Sequence, residues 1–123
     1  MFNKESYHPN PWIDMIKDTG AKPAASTHSP GTIIALLDNL GFEAYLAPVN
    51  PIGYGMEPDV ESTLRALEHT KKKVLGIKPL AAGNLYPERS VFEFIYTYAD
   101  SIAVGITSED EMVETYSAAL VSG

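Results

Sequence analysis

The chain has 123 residues, 45% hydrophobic and 10% aromatic, enough for a packed core and too apolar for intrinsic disorder. Acidic side chains outnumber basic ones 16 to 9, and the formal charge of −7 argues against a binder of nucleic-acid phosphates. The absence of cysteine excludes disulfides, thiolate metal sites and a cysteine nucleophile within these residues. No apolar run approaches the roughly 18 residues that span a bilayer, so no membrane partner is expected.

The opening residues carry no apolar signal segment, which predicts a soluble, cytoplasmic protein. Residues 1–10 read as the remnant of a preceding strand and its loop, and PWIDMIKDTG after them as a helix. AKPAASTH (21–28) is a short apolar run ending in polar residues, a first strand. In SPGTIIALLDNLG, Ser29 suits the N-cap, Pro30 the first helical position and Gly41 the stop, with Ile33, Ile34, Leu37 and Leu40 on one face. FEAYLAPVN (42–50) reads as a second strand and PIGYGMEP as a loop. DVESTLRALEHTKK (59–72) is a helix with Val60, Leu64 and Leu67 on one side, its basic end solvated. KVLGIKP is a third strand. YPERSVFEFIYTYA is a helix striped by Val91, Phe94, Ile95 and Tyr98. DSIAVGIT is a fourth strand. In SEDEMVETYSAAL, Ser108 and Glu111 form a capping box, and Met112, Val113, Tyr116 and Leu120 are expected to face inward.

One helix followed by four strand–helix units at a spacing of about 30 residues fits a series of βα repeats. Such alternation predicts an α/β fold with a parallel sheet covered by helices. The strands read as apolar runs, as expected when both faces are buried. An open doubly wound sheet and a (β/α)8 barrel both fit. No GxGxxG follows the first strand and no acidic residue ends the second, which weakens a dinucleotide-binding doubly wound domain. A complete barrel takes about 250 residues, so the four units read as a half-barrel forming one domain over residues 1–123. Its open sheet edges invite pairing, and a missing N-terminal half-barrel or a homodimer partner is expected to close it.

Four strand ends follow one another as ASTHSP (25–30), YLAPVNP (45–51), GIKPLAAG (76–83) and VGITSEDEMVET (104–115). In this order and spacing the chain resembles the C-terminal half of the aldo/keto reductase superfamily, in its oxidoreductase-like branch, from about Pro11 to Leu120. The resemblance implies strands five to eight of a TIM barrel, with NADP or NAD across its C-terminal face. Ser26 and Thr27 would lie at the nicotinamide end, Lys78, Leu80 and Gly83 along the pyrophosphate, and Gly105, Thr107, Ser108 and Glu114 at the adenosine end. This chain has Thr27, Leu46, Ile77, Thr107 and Thr115 where many members carry Asn, Gln, an aromatic, a cation and Asn. The superfamily's catalytic Asp, Tyr, Lys and His belong to the other half, so this chain is expected to be a catalytically incomplete fragment.

Read from the residues alone, His8, His28 and Lys78 are the candidates for chemistry. His28 ends a strand beside the Ser29 cap, as an acid–base group or simply a polar strand end. Glu5, His8 and His28 can be drawn as a divalent-metal set, but their spacing matches no metal signature and no metal is assigned. Lys78 either meets a phosphate or carboxylate of a ligand or pairs with a carboxylate on a neighbouring strand. Asn50 is expected to cap or orient the PIGYG loop, Tyr54 to close over a site or pack, and His69 to lie on the surface. The alternative function is a barrel lyase, isomerase or metal-dependent enzyme using His8, His28 and Lys78 on a small carbonyl or phosphorylated substrate.

Overall fold

The computed structural model describes residues 10–122, so the expectations placed on Glu5, His8 and the preceding strand lie outside the described residues. The elements are α1 (Asn10–Asp18), β1 (Ala24–Ser26), α2 (Pro30–Leu37), β2 (Ala44–Pro48), α3 (Val60–His69), β3 (Lys73–Ile77), α4 (Arg89–Tyr98), β4 (Ser101–Ile102) and α5 (Glu109–Ser122), with a 3-10 turn at Ala81–Gly83. The four strands are parallel and stand in sequence order, with Ser26 beside Leu46, Leu46 beside Leu75 and Leu75 beside Ser101.

Because each strand pairs with the next, right-handed crossovers set all the connecting helices on one face of the sheet. The strands record this. Tyr45, Ala47, Val74 and Gly76 are buried, whereas Ala44, Leu46, Leu75 and Ile77 on the other face are only partly so. The expectation that both faces are buried is therefore corrected. An apolar run looks the same in sequence whether its second face meets helices of its own or strands still to be added. The core lies between sheet and helices, with Tyr45, Val74, Ile34, Leu37, Phe92 and Ile95 among its members. Phe92 is fully buried although it falls beside, not in, the stripe read from α4.

Local chemistry explains the helix ends. Asp59 caps α3 by accepting the Ser62 N–H at 2.7 Å. Ser29 precedes α2, but its side chain makes no cap bond. Its carbonyl accepts the Thr32 and Ile33 N–H groups at 3.1 and 2.9 Å, and the Gly31 N–H goes to Glu57 at 3.2 Å. That last bond accompanies close packing of α2 on α3: a Cβ on Gly31 would collide with the Ser62 hydroxyl and lie 2.9 Å from Pro58 Cδ.

Two expected apolar faces are corrected. Val60 is exposed at the first turn of α3, with Leu67 buried and Leu64 partly buried. On α5, Met112, Val113, Tyr116 and Leu120 are 50, 62, 64 and 62% exposed. The helix packs on α4 and the core instead through buried Thr115 and partly buried Ala118 and Ala119, whose helical spacing and small size allow close approach. The larger side chains turn to a flank that no described element covers.

Candidate functional site

The loop after β3 is where the backbone departs most from ordinary geometry. Lys78, Ala81 and Ala82 have φ of 53°, 52° and 55°, and Gly83 follows at 87°. A non-glycine residue in the left-handed region costs roughly 1–2 kcal/mol, so three in five positions must be held by their surroundings. Short-range bonds do part of this: Ala81 N–H to the Lys78 carbonyl at 3.0 Å, Gly83 and Leu85 N–H to Leu80 at 3.1 and 3.0 Å, and the Asn84 amide to Ala81 at 2.6 Å.

Asn50 does the rest. Its side chain, wholly buried after β2, donates to the carbonyls of Tyr54 and Lys78 at 2.8 and 3.2 Å and accepts the Tyr54 N–H at 2.8 Å. It ties the β2–α3 loop to the β3–α4 loop, and the expectation that it orients the PIGYG loop holds. Tyr54 then lies beneath the Lys78 ammonium, 5.7 Å from ring centre to Nζ, a cation–π arrangement. Lys78 makes no ion pair among the described residues, so the reading that joined it to a neighbouring strand's carboxylate is corrected.

Beside this loop runs a groove of about 750 Å³. One wall is formed by Lys78, Leu80, Ala82, Gly83 and Tyr86, the other by Gly105, Thr107, Glu111, Glu114 and Thr115. It lies beyond the C-terminal ends of β3 and β4, the end at which barrel folds build their sites. A smaller cavity of about 260 Å³, lined by Lys71, Lys72, Lys73 and Asp100 among others, sits at the opposite end of the same strands.

The α5 wall carries its own anion. Glu111 Oε2 accepts both the Thr107 N–H and the Thr107 hydroxyl at 2.9 Å, and these two bonds hold its carboxyl below the usual range. The Ser108 hydroxyl accepts the Glu111 N–H at 3.1 Å, as one arm of a capping box should. The other arm reaches Thr107 rather than Ser108. Across the groove the Tyr86 hydroxyl donates to Glu114, and the bond together with the carboxylate's charge pushes the phenol pKa up.

Six of the sequence-named residues therefore line one groove: Lys78, Leu80, Gly83, Gly105, Thr107 and Glu114. Ser108 stands next to them, its hydroxyl engaged with α5. Ser26 and Thr27 do not join them. Ser26 ends β1 and Thr27 follows it, two strands from β3, with Thr27 buried and its hydroxyl accepting the Ser29 N–H at 2.9 Å. His28 is exposed beside them, and no three metal-type side chains converge among the described residues. His69 lies exposed on α3, as expected. In the sequence Tyr86 is the first residue of the segment read as the fourth helix, which in the structure begins at Arg89, and Glu111 is part of a capping box. Their shared place on the groove arises from contacts across α4 and α5, for which no local pattern exists.

No family model matches the sequence, and no curated protein does. Among solved structures, the holo form of the aldo-keto reductase AKR11C1 from Bacillus halodurans superposes with a TM-score of 0.69 at 13% identity. The match covers 89% of this chain and 49% of that one, so the chain spans about half the length of the solved protein. No described helix is long and apolar enough to cross a membrane. Four parallel strands in sequence order, helices on one face, and this superposition give the chain the fold of half an aldo-keto reductase barrel.

Proposed function

We propose that the chain is the C-terminal, cofactor-side half of an oxidoreductase barrel, and that its groove holds the phosphate-bearing part of a nicotinamide dinucleotide. The observation that carries this reading is the joint position of Lys78 and the left-handed Ala82–Gly83 turn on one wall of a groove at the strand C-termini. An ammonium there meets a phosphate by a charge-assisted bond. Alanine and glycine leave the adjoining backbone open to close approach. The volume suits a ligand of this size.

The residues fit the group unequally. The β3–α4 wall offers a cation and exposed backbone, while the α5 wall offers carboxylates. Ser26 and Thr27 stand at the same end of the sheet, in the direction in which the nicotinamide end would extend. When bound, the dinucleotide supplies hydride-transfer chemistry; the residues named here bind and orient it. Catalytic groups would come from an N-terminal half that closes the barrel; a second copy of this chain would close it without supplying them. A small carbonyl substrate is the corresponding partner.

The test is a fluorescence titration of the chain with NADH, repeated on Lys78→Met. The variant is expected to bind at least about tenfold more weakly, the loss of one charge-assisted contact. Unchanged affinity would remove Lys78 from the site, and absence of binding by the parent chain would sink the reading.

A further inference from the structure

We infer that the groove accepts negative charge on one wall only: an anionic group at Lys78 and an uncharged, hydroxyl-bearing group at α5, so that a ligand with a second phosphate at α5 is rejected by Glu111. This rests on the proposed dinucleotide site and specifies which dinucleotide it takes.

The two walls differ in what they have left to offer. Before α5, the N–H and hydroxyl of Thr107 are the kind of donors that a helix N-terminus presents to an anion. Both are already taken by Glu111 Oε2, at 2.9 Å each. The Ser108 hydroxyl, the next donor along, faces the Glu111 N–H at 3.1 Å and so serves as an acceptor there. The anion that this wall can bind is thus part of the chain. Glu114 adds a second carboxylate on the same wall, reached by the Tyr86 hydroxyl from the other side. Among the described lining residues the cation is Lys78, which belongs to the opposite wall.

A phosphate arriving at α5 would have to displace the bonded Glu111 carboxylate and remain beside two like charges. A ribose hydroxyl faces the reverse situation. A carboxylate oxygen that accepts two bonds leaves its partner oxygen with free lone pairs, and Glu111 Oε1 can accept a hydroxyl hydrogen without disturbing Thr107. The wall therefore favours a hydroxyl over a phosphate.

NADH and NADPH differ by one phosphate on the adenosine ribose, and with the adenosine end of the proposed dinucleotide at α5 they probe this wall. Calorimetric titration of the chain is expected to give NADH at least about tenfold tighter binding than NADPH, as like-charge juxtaposition requires. Glu111→Gln keeps an acceptor for Thr107 and removes the charge, and is expected to narrow the ratio to less than about threefold. Glu111 is exposed on the first turn, so circular dichroism should report an unchanged fold. Equal binding of both by the parent chain would overturn the inference while leaving the dinucleotide site standing. Binding of neither would overturn both. A preference that survives Glu111→Gln, or that Glu114→Gln reduces more, would overturn the role given to Glu111.

Discussion

The buried amide of Asn50 donates to the carbonyl of Lys78 at 3.2 Å across 28 positions of sequence, and through it the end of β2 sets the conformation of the loop after β3. The same side chain makes two bonds to Tyr54, whose ring lies under the Lys78 ammonium. Replacing Asn50 with Leu removes all three bonds: the Tyr54 N–H and carbonyl lose this partner, while the Lys78 carbonyl keeps only the Ala81 N–H. The expected cost is about 2–4 kcal/mol of stability. Urea unfolding measures it, and a midpoint equal to that of the parent chain would show that the two loops do not depend on this knot.

Lys78, Ala81 and Ala82 sit in the left-handed region, but only Ala81 is buried. Ala82 is exposed, so a glycine there sacrifices no packing. Relief of the left-handed strain outweighs the extra freedom of glycine in the unfolded chain, and Ala82→Gly is expected to stabilise by about 0.5–1 kcal/mol. A thermal melt shows the sign. A loss of stability would mean that the alanine methyl makes contacts of its own in the turn.

How much of this the sequence discloses depends on the range of the interaction. The βα order, the four strands, the Asn50 loop and the arm of the capping box from Ser108 to Glu111 are written in local pattern, and all are found. The left-handed lysine is not, because nothing in GIKPLAAG distinguishes a lysine that continues a strand from one that turns away from it. Nor is the contact of Tyr86 with Glu114, which are 28 residues apart and brought together by the packing of α4 on α5. The error on α5 has a different origin. Met112, Val113, Tyr116 and Leu120 form a genuine apolar stripe, and pattern alone does not reveal whether the chain's own core or something added later covers it.

Tyr45 is fully buried, with its hydroxyl donating to Asp38 at 2.7 Å, and Asp38 also accepts the Thr70 hydroxyl at 2.8 Å. Burial first, and the Asp38 bond and charge second, push the Tyr45 pKa far above the usual tyrosine value. In the unfolded chain the phenol ionises near pH ~10. Above that pH the unfolded state releases a proton that the folded state keeps, so stability is full below it and falls as pH rises. The slope expected from Tyr45 is about 1.4 kcal/mol per pH unit. Urea midpoints between pH 8 and 11 should decline for the parent chain and decline less for Tyr45→Phe. Parallel slopes would assign the alkaline loss to other groups.

Gly31 lies where α2 approaches α3, and the Cβ of an alanine would run into the Ser62 hydroxyl and Pro58. The hydroxyl can rotate away, but the proline ring and the Ser62 backbone, 3.1 Å from that Cβ, cannot do so without moving the helix. Gly31→Ala is expected to destabilise by about 1–3 kcal/mol, the range for overpacking. Pairing it with Ser62→Ala isolates the hydroxyl's share. If the pair matches the single variant, the backbone contact accounts for the cost.

The flanks of the half-barrel remain to be covered. Trp12 and Met15 are exposed on α1, and Met112, Val113, Tyr116 and Leu120 on α5, at the two ends of the element order. The inner face of the sheet, with Leu46, Leu75 and Ile77, is only partly buried between them. Apolar side chains on both flanks are what two halves need to close a ring: α5 of one half against the first helix of the next, and β4 beside β1. If a second copy serves, twofold symmetry makes both contacts at once. Sedimentation of the chain at micromolar concentration should then give twice its 13.4 kDa. Tyr116→Lys on α5 should shift the equilibrium towards the monomer, whereas Lys71→Ala, an exposed residue before the N-terminal end of β3, should leave it unchanged. A folded monomer of unaltered stability would assign these flanks to a different half-barrel.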